Sequence, residues 1–226
     1  MQEQPENQII PLRGLRGMIA KNLTQAWQAP RVAQGITIEV DNILAKLKQI
    51  SANEGVKLSF THAIMKVIAL TLAQHQQLNA TLTDKGICLH QNKNISLAVN
   101  TDNGLVAPVI DDVDKLALTD LADKVKEAAT KARNGTLAAS GYQGGTFTVS
   151  TLGATGIDWF TPVLNPPQVA ILGVGRFQQR PVVKAGEIVI ATCVDLTLVF
   201  DHRALDGLPA GLFLAALAKR LESAEI

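Results

Sequence analysis

The stretch EIVIATCVDLTLVFDHRALDG, residues 187–207, decides how this chain is read. Ile188, Ile190, Val194, Leu196, Leu198 and Phe200 fall on one face of a strand spanning Glu187–Phe200. The alternation stops at Asp201-His202-Arg203-Ala204-Leu205-Asp206-Gly207. An amphipathic helix is expected from Leu208 to Glu222, with Pro209 tolerated in its first turn. A junction of strand and helix projects side chains into clefts, and the helix start offers free N–H groups. A histidine there can act as a base near neutral pH, because its unperturbed pKa is about 6.5. A strand-end histidine among solvated charges is the competing reading. Asp206, four positions on, could pair with an arginine and fix the local backbone.

Working outward, the first helix is expected over Leu15–Gln28, ending before Pro30. Gly35–Val40 reads as a strand, and a helix from Asp41 carries Ile43, Leu44 and Leu47. Ser59 is placed as the N-cap of a long helix with Ile64, Val67, Ile68, Thr71 and Leu72 on one face. Asn94–Asn100 and Leu105–Ile110 form a hairpin around Thr101-Asp102-Asn103-Gly104. A helix runs from Thr119, read as its N-cap, to Arg133, where Asn134-Gly135 supplies the stop. Thr146–Thr151 and Val169–Val174 are short apolar strands. Hairpins mixed with crossovers predict an α/β fold, a mixed β-sheet with packed helices, and not a strict doubly wound sheet. Gly173-Val174-Gly175-Arg176 lacks the spacing of a dinucleotide fingerprint.

The 226 residues, 47% hydrophobic and 18% charged, are enough for one sizeable core. Residues 1–8 read as a flexible tail or linker remnant and 9–226 as one domain. Net charge of +1 gives no field favouring nucleic acid or an anionic membrane. Cys88 and Cys193 share no metal-ligand spacing and are expected to be reduced and buried. The start, MQEQPENQ, lacks a signal-peptide pattern, and no stretch is long enough to span a bilayer, so a soluble cytoplasmic protein is expected.

A second segment carries chemistry: Gly144-Gly145-Thr146-Phe147-Thr148-Val149-Ser150-Thr151-Leu152-Gly153. Hydroxyls alternate along a strand, and the bracketing glycines would let a ligand approach the backbone. Ser150 is outside any Gly-x-Ser-x-Gly elbow, so it suits an oxyanion donor better than a nucleophile. Judged alone, the segment also reads as a Thr/Ser-rich edge strand. His62, His75 and His90 have no partners at ligand spacing and read as structural or surface residues. Trp159-Phe160 could line a pocket, with core packing as the favoured reading.

Together the two segments resemble the catalytic domain of the acyltransferase (E2) component of 2-oxoacid dehydrogenase complexes, which shares its fold with chloramphenicol acetyltransferase. Asp-His-Arg-x-x-Asp-Gly stands intact at 201–207 and Gly-Gly-Thr-Phe-Thr-x-Ser at 144–150, with 202 − 150 = 52 residues between His202 and Ser150. Asn103–Ile110, Thr161–Gly175 and Arg16…Ile19-Ala20 also match, so the likeness covers about Ile10 to Ile226.

The resemblance implies acyl transfer, acetyl by default, between dihydrolipoamide and coenzyme A, in a 2-oxoacid or acetoin dehydrogenase complex. His202 would be the general base and Ser150 the oxyanion donor, with Asp206 paired to an arginine, Arg16 being the first choice. Ser59 matches a family position near coenzyme A, although an ordinary N-cap explains it equally. No metal is implied. Coenzyme A and the lipoyl group are substrates, the latter carried by another domain or protein. The expected partners are two further copies in a homotrimer, a cubic or dodecahedral core, a lipoyl domain, and the dehydrogenase and dihydrolipoamide dehydrogenase subunits. His202 and Ser150 of one site would come from different chains.

Two features depart from the pattern. Pro30 is followed by Arg31 where the family commonly has histidine, and no lipoyl-lysine or subunit-binding segment is present, Asp84-Lys85-Gly86 being a loop. Either a longer protein contains this domain or the chain takes its lipoyl group from another protein. The competing functions are a stand-alone acetyl-CoA-dependent O-acetyltransferase and a non-catalytic trimeric scaffold.

Overall fold

In the computed structural model, which describes residues 9–226, the chain opens with α1 (Gly14–Trp27) and β1 (Arg31–Glu39). The tail expected for residues 1–8 lies outside the described residues. Helices α2 (Asp41–Glu54) and α3 (Phe60–Leu72) lead to the hairpin β2 (Ala80–Thr83) and β3 (Gly86–Leu89). Four short strands follow: β4 (Ile95–Leu97), β5 (Val99–Thr101), β6 (Gly104–Val106) and β7 (Val109–Ile110). The remainder is α4 (Leu118–Arg133), β8 (Phe147–Thr151), β9 (Ala170–Lys184), β10 (Glu187–Asp201) and α5 (Gly207–Glu222).

Six strands form one sheet in the order β1-β10-β9-β8-β4-β7. The β8 strand runs parallel to both neighbours, and the other pairings are antiparallel. The mixed sheet inferred from the sequence is therefore present. One face carries Phe147, Val149, Leu172, Val174, Val194, Leu196, Leu198 and Phe200, all buried together with α3 and with Phe213 and Leu217 of α5. A buried side chain of this size contributes about 1.5–3 kcal/mol, so this layer dominates stability. The opposite face is covered in part by the strap 157–168 and the end of α1. There Ala29, Leu164, Ile171 and Val199 form a small second cluster.

Several local readings need correction. The first strand begins at Arg31, not Gly35, because β10 pairs with it from Arg31↔Asp201 through Glu39↔Cys193. The α4 helix takes Ala117 as its N-cap, placing Thr119 inside the helix, since the Leu121 N–H already bonds the Ala117 carbonyl. Asp120 supplies the favourable first-turn charge instead. The β8 strand is interior, not an edge, and Thr146, Thr148 and Ser150 are buried. The β9 strand continues ten residues past Val174 as the arm of a hairpin with β10. Pro181 is tolerated there because β8 has already ended at Thr151↔Val174, leaving that edge unpaired. On the arm, Ile188 and Ile190 keep the predicted face yet are exposed. Cys88 on β3 is exposed, and only Cys193 is a buried thiol.

Candidate functional site

The β10 strand delivers His202 one residue past its end. The Asp201 N–H donates to the Val169 carbonyl at 2.9 Å and the His202 N–H to the Pro30 carbonyl at 2.9 Å. The Ala204 and Leu205 N–H groups close a turn on the Asp201 carbonyl. The His202 side chain is 45% exposed, its ring centroid lies 6.0 Å from that of Phe200, and its Nδ1 lies 3.8 Å from Asp206 Oδ1. Asp206 is the N-cap of α5 by backbone conformation, but its carboxylate makes no capping bond and is left to face the imidazole.

Asp201 is 4% exposed, its carboxylate enclosed by the fold. Its Oδ1 accepts the Arg203 backbone N–H and Nε at 3.0 Å each, and Oδ2 accepts Arg203 Nη2 at 2.6 Å. That charge-assisted pairing raises the affinity of the Arg203 guanidinium for its proton. The two side chains line a cavity of about 530 Å³ with Ala29, Thr83, Pro166 and Gln168. The motif was visible in the sequence, but this pairing was not read from it, although the Asp-x-Arg spacing was its signal.

Ser150 lies elsewhere. It pairs with Gly173 of β9, which pairs with Thr197 of β10, which pairs with Gly35 of β1. His202 is 202 − 197 = 5 residues beyond that row, or roughly 17 Å along the strands, and two strands, roughly 10 Å, to the side. Ser150 also shares the strap-covered face with Thr148 and Thr197, whereas His202 follows Phe200 toward the helical side. One chain therefore does not bring His202 and Ser150 together.

Two glycines near Ser150, Gly145 and Gly175, are required by the protein's own packing. A Cβ on Gly145 would overlap Ser96 Oγ and Gln168 Nε2, and one on Gly175 would overlap the Asp158 backbone. Gln168 in turn bridges Thr148, at 2.5 Å, and Ser96, at 3.2 Å. The strap places Trp159, 64% exposed, beside Gly35, Thr37 and Thr197 in a cavity of about 620 Å³. Core packing is thus the wrong reading for Trp159, while its neighbour Phe160 packs against Gly173.

Arg16 and Ser59 are not part of either cluster. The Arg16 guanidinium sits over Gly104 on β6, and the ion pair with Asp206 is not formed within the chain. Ser59 caps α3, its N–H donating to His62 Nδ1 at 3.1 Å. Burial holds the His62 and His75 pKa values below the ordinary one, His75 standing edge-on to Phe213. His90 Nε2 bonds the Thr81 hydroxyl at 2.9 Å. Each of the three side chains is engaged by neighbours within the fold.

This fold, with its two motif segments, defines an acyltransferase catalytic domain. The chain belongs to the 2-oxoacid dehydrogenases acyltransferase (catalytic domain) family, whose model matches residues 4–226. It is 42% identical over 221 residues to the dihydrolipoyllysine-residue acetyltransferase component of the acetoin cleaving system of Bacillus subtilis (strain 168), covering 95% of this chain and 55% of that protein. The chain thus spans about half the length of such relatives. Among solved structures, Azotobacter vinelandii dihydrolipoamide acetyltransferase superposes with a TM-score of 0.92 at 33% identity, covering 97% and 93% of the two chains. The cubic core of the pyruvate dehydrogenase multienzyme complex gives the same values. Chloramphenicol acetyltransferase, at 15% identity and a TM-score of 0.54 over 95% and 97% of the chains, shares the fold alone.

Proposed function

We propose that this chain is the transfer core of a dihydrolipoamide acetyltransferase, exchanging an acetyl group between coenzyme A and a dihydrolipoyl arm. One observation carries the reading. The Azotobacter vinelandii enzyme was studied for the role of a serine, a histidine and an asparagine in its catalytic mechanism, spaced by 52 and then 4 residues. Ser150, His202 and Asp206 have the same spacings, with aspartate in place of asparagine.

The chemistry follows from those groups. Imidazole takes the proton of the attacking thiol, for which a pKa near 8.5 makes a single base sufficient. The thiolate adds to the thioester carbonyl, and the Ser150 hydroxyl donates to the tetrahedral oxyanion. Collapse expels the second thiolate, which recovers the proton from His202. No acyl-enzyme is formed, so no third triad member is needed. Because Ser150 and His202 are far apart in one chain, the site closes between neighbouring copies of a cyclic trimer. The lipoyl arm reaches it from a separate lipoyl domain, and the trimer serves as a building block of a dehydrogenase complex core.

Transfer from acetyl-, succinyl- and isobutyryl-CoA to dihydrolipoamide, measured alongside the mass of the assembly, tests this. Acetyl transfer by an oligomer is expected; transfer to alcohols but not to dihydrolipoamide would overturn it.

A further inference from the structure

The catalytic reading assigns nothing to the buried charge beside the base. Asp201 is almost fully enclosed, and it is the residue next to His202 in the chain. Left alone, it would favour a protonated imidazole and so remove the base. Burial of a lone carboxylate is also costly, and Arg203 answers both problems with a bidentate contact and a main-chain bond. We propose that the Asp201–Arg203 pair is a positioning and charge-cancelling device for His202, pinning the turn that aims it and keeping the imidazole available as a base.

The other charges facing this turn do not substitute for Arg203. Arg31, register partner of Asp201, places its guanidinium 3.3 Å from the Trp27 ring centroid. Asp206 is the nearest anion to the imidazole at 3.8 Å, and Asp84 lines the cavity that also holds Asp201 and Arg203. Both are negative, so Arg203 is the cation that cancels Asp201. The start of α5 adds only its partial positive dipole.

The inference rests on His202 being the base, but its test does not need turnover. The imidazole of His202 is followed by NMR titration of ring-labelled histidine in the assembled protein, with His202→Ala giving the assignment. With Arg203→Gln the protonation midpoint should rise by about 0.5–1 pH unit relative to the parent. With Asp201→Asn, which keeps the shape and leaves the guanidinium, it should fall. Arg203→Lys should stay near the parent, and the double variant Asp201→Asn/Arg203→Gln should return to it. Equal midpoints in all variants, or shifts of the same sign in the two opposite-charge variants, would overturn the proposal. If Arg203→Gln does not fold, the downward shift in Asp201→Asn and the unchanged Arg203→Lys still decide it. The acid limb of acetyl transfer should move with the NMR midpoint. A midpoint that moves while that limb stays would refute His202 as base and leave the pair's effect standing.

Discussion

Ser150 and His202 stand two strands and five residues out of line, roughly 17 Å apart along the sheet direction, with their side chains on different faces. General acid–base chemistry needs its groups within hydrogen-bond reach of the same reacting atoms. A single chain therefore holds the two groups apart, His202 with Asp206 just past the end of β10 and Ser150 next to the last residue of β8.

Removing the two groups should have different consequences. His202→Ala removes the proton acceptor and is expected to abolish most acetyl transfer. Ser150→Ala should lower kcat by roughly two to three orders of magnitude, the scale of a lost oxyanion donor, with KM for acetyl-CoA little changed. Steady-state kinetics on both variants provides the check, and a Ser150→Ala enzyme with full kcat would remove the serine from the mechanism.

Packing of the strap should depend on Gly175. A methyl group there meets the Asp158 backbone, which cannot rotate away, whereas on Gly145 it meets the side-chain atoms of Ser96 and Gln168. Gly175→Ala should cost at least about 1–3 kcal/mol, and Gly145→Ala less, in denaturant unfolding of the same protein. Trp159 fluorescence should change in the Gly175 variant as its strap lifts. Equal stability of parent and Gly175→Ala would contradict the close approach.

Acidification should weaken the fold through two half-buried histidines. His62 and His75 have lowered folded-state pKa values because burial disfavours the charged ring. An unfolded chain then binds more protons, so the contribution of these groups is complete above about pH 6.5 and is lost as pH falls below it. Protonation at Nδ1 would also break the bond that His62 accepts from the Ser59 N–H. The melting temperature should drop between pH 7.5 and 5.5, and drop less in His62→Gln. An equal drop in that variant would exclude His62 as a contributor.

Much of this was legible in the sequence because the signals were local. Alternation located β10, Thr101-Asp102-Asn103-Gly104 located the β5–β6 turn, and Asn134-Gly135 ended α4, where Gly135 takes φ of +69°. What escaped depends on neighbours distant in the chain. The arm of β9 lacks periodicity of its own and is a strand only because β10 returns along it. Residues 31–34 pair for the same reason. Gly173 and Gly175 read as part of a plain strand, and their purpose appears only where the strap crosses them. The Asp206–Arg16 pair that the family resemblance implies does not form within one chain, because the fold sends Arg16 to the β5–β6 hairpin.

The central claim, a site shared between copies, is tested most directly by mixing two dead variants. His202→Ala supplies an intact Ser150, and Ser150→Ala supplies an intact His202. After joint refolding or co-expression at equal amounts, a cyclic assembly should regain about one quarter of parent acetyl transfer, because half of the copies on each side of a contact are intact. Separate populations, never mixed, should stay inactive. No recovery at any mixing ratio, in assemblies shown by mass to contain both variants, would contradict the account.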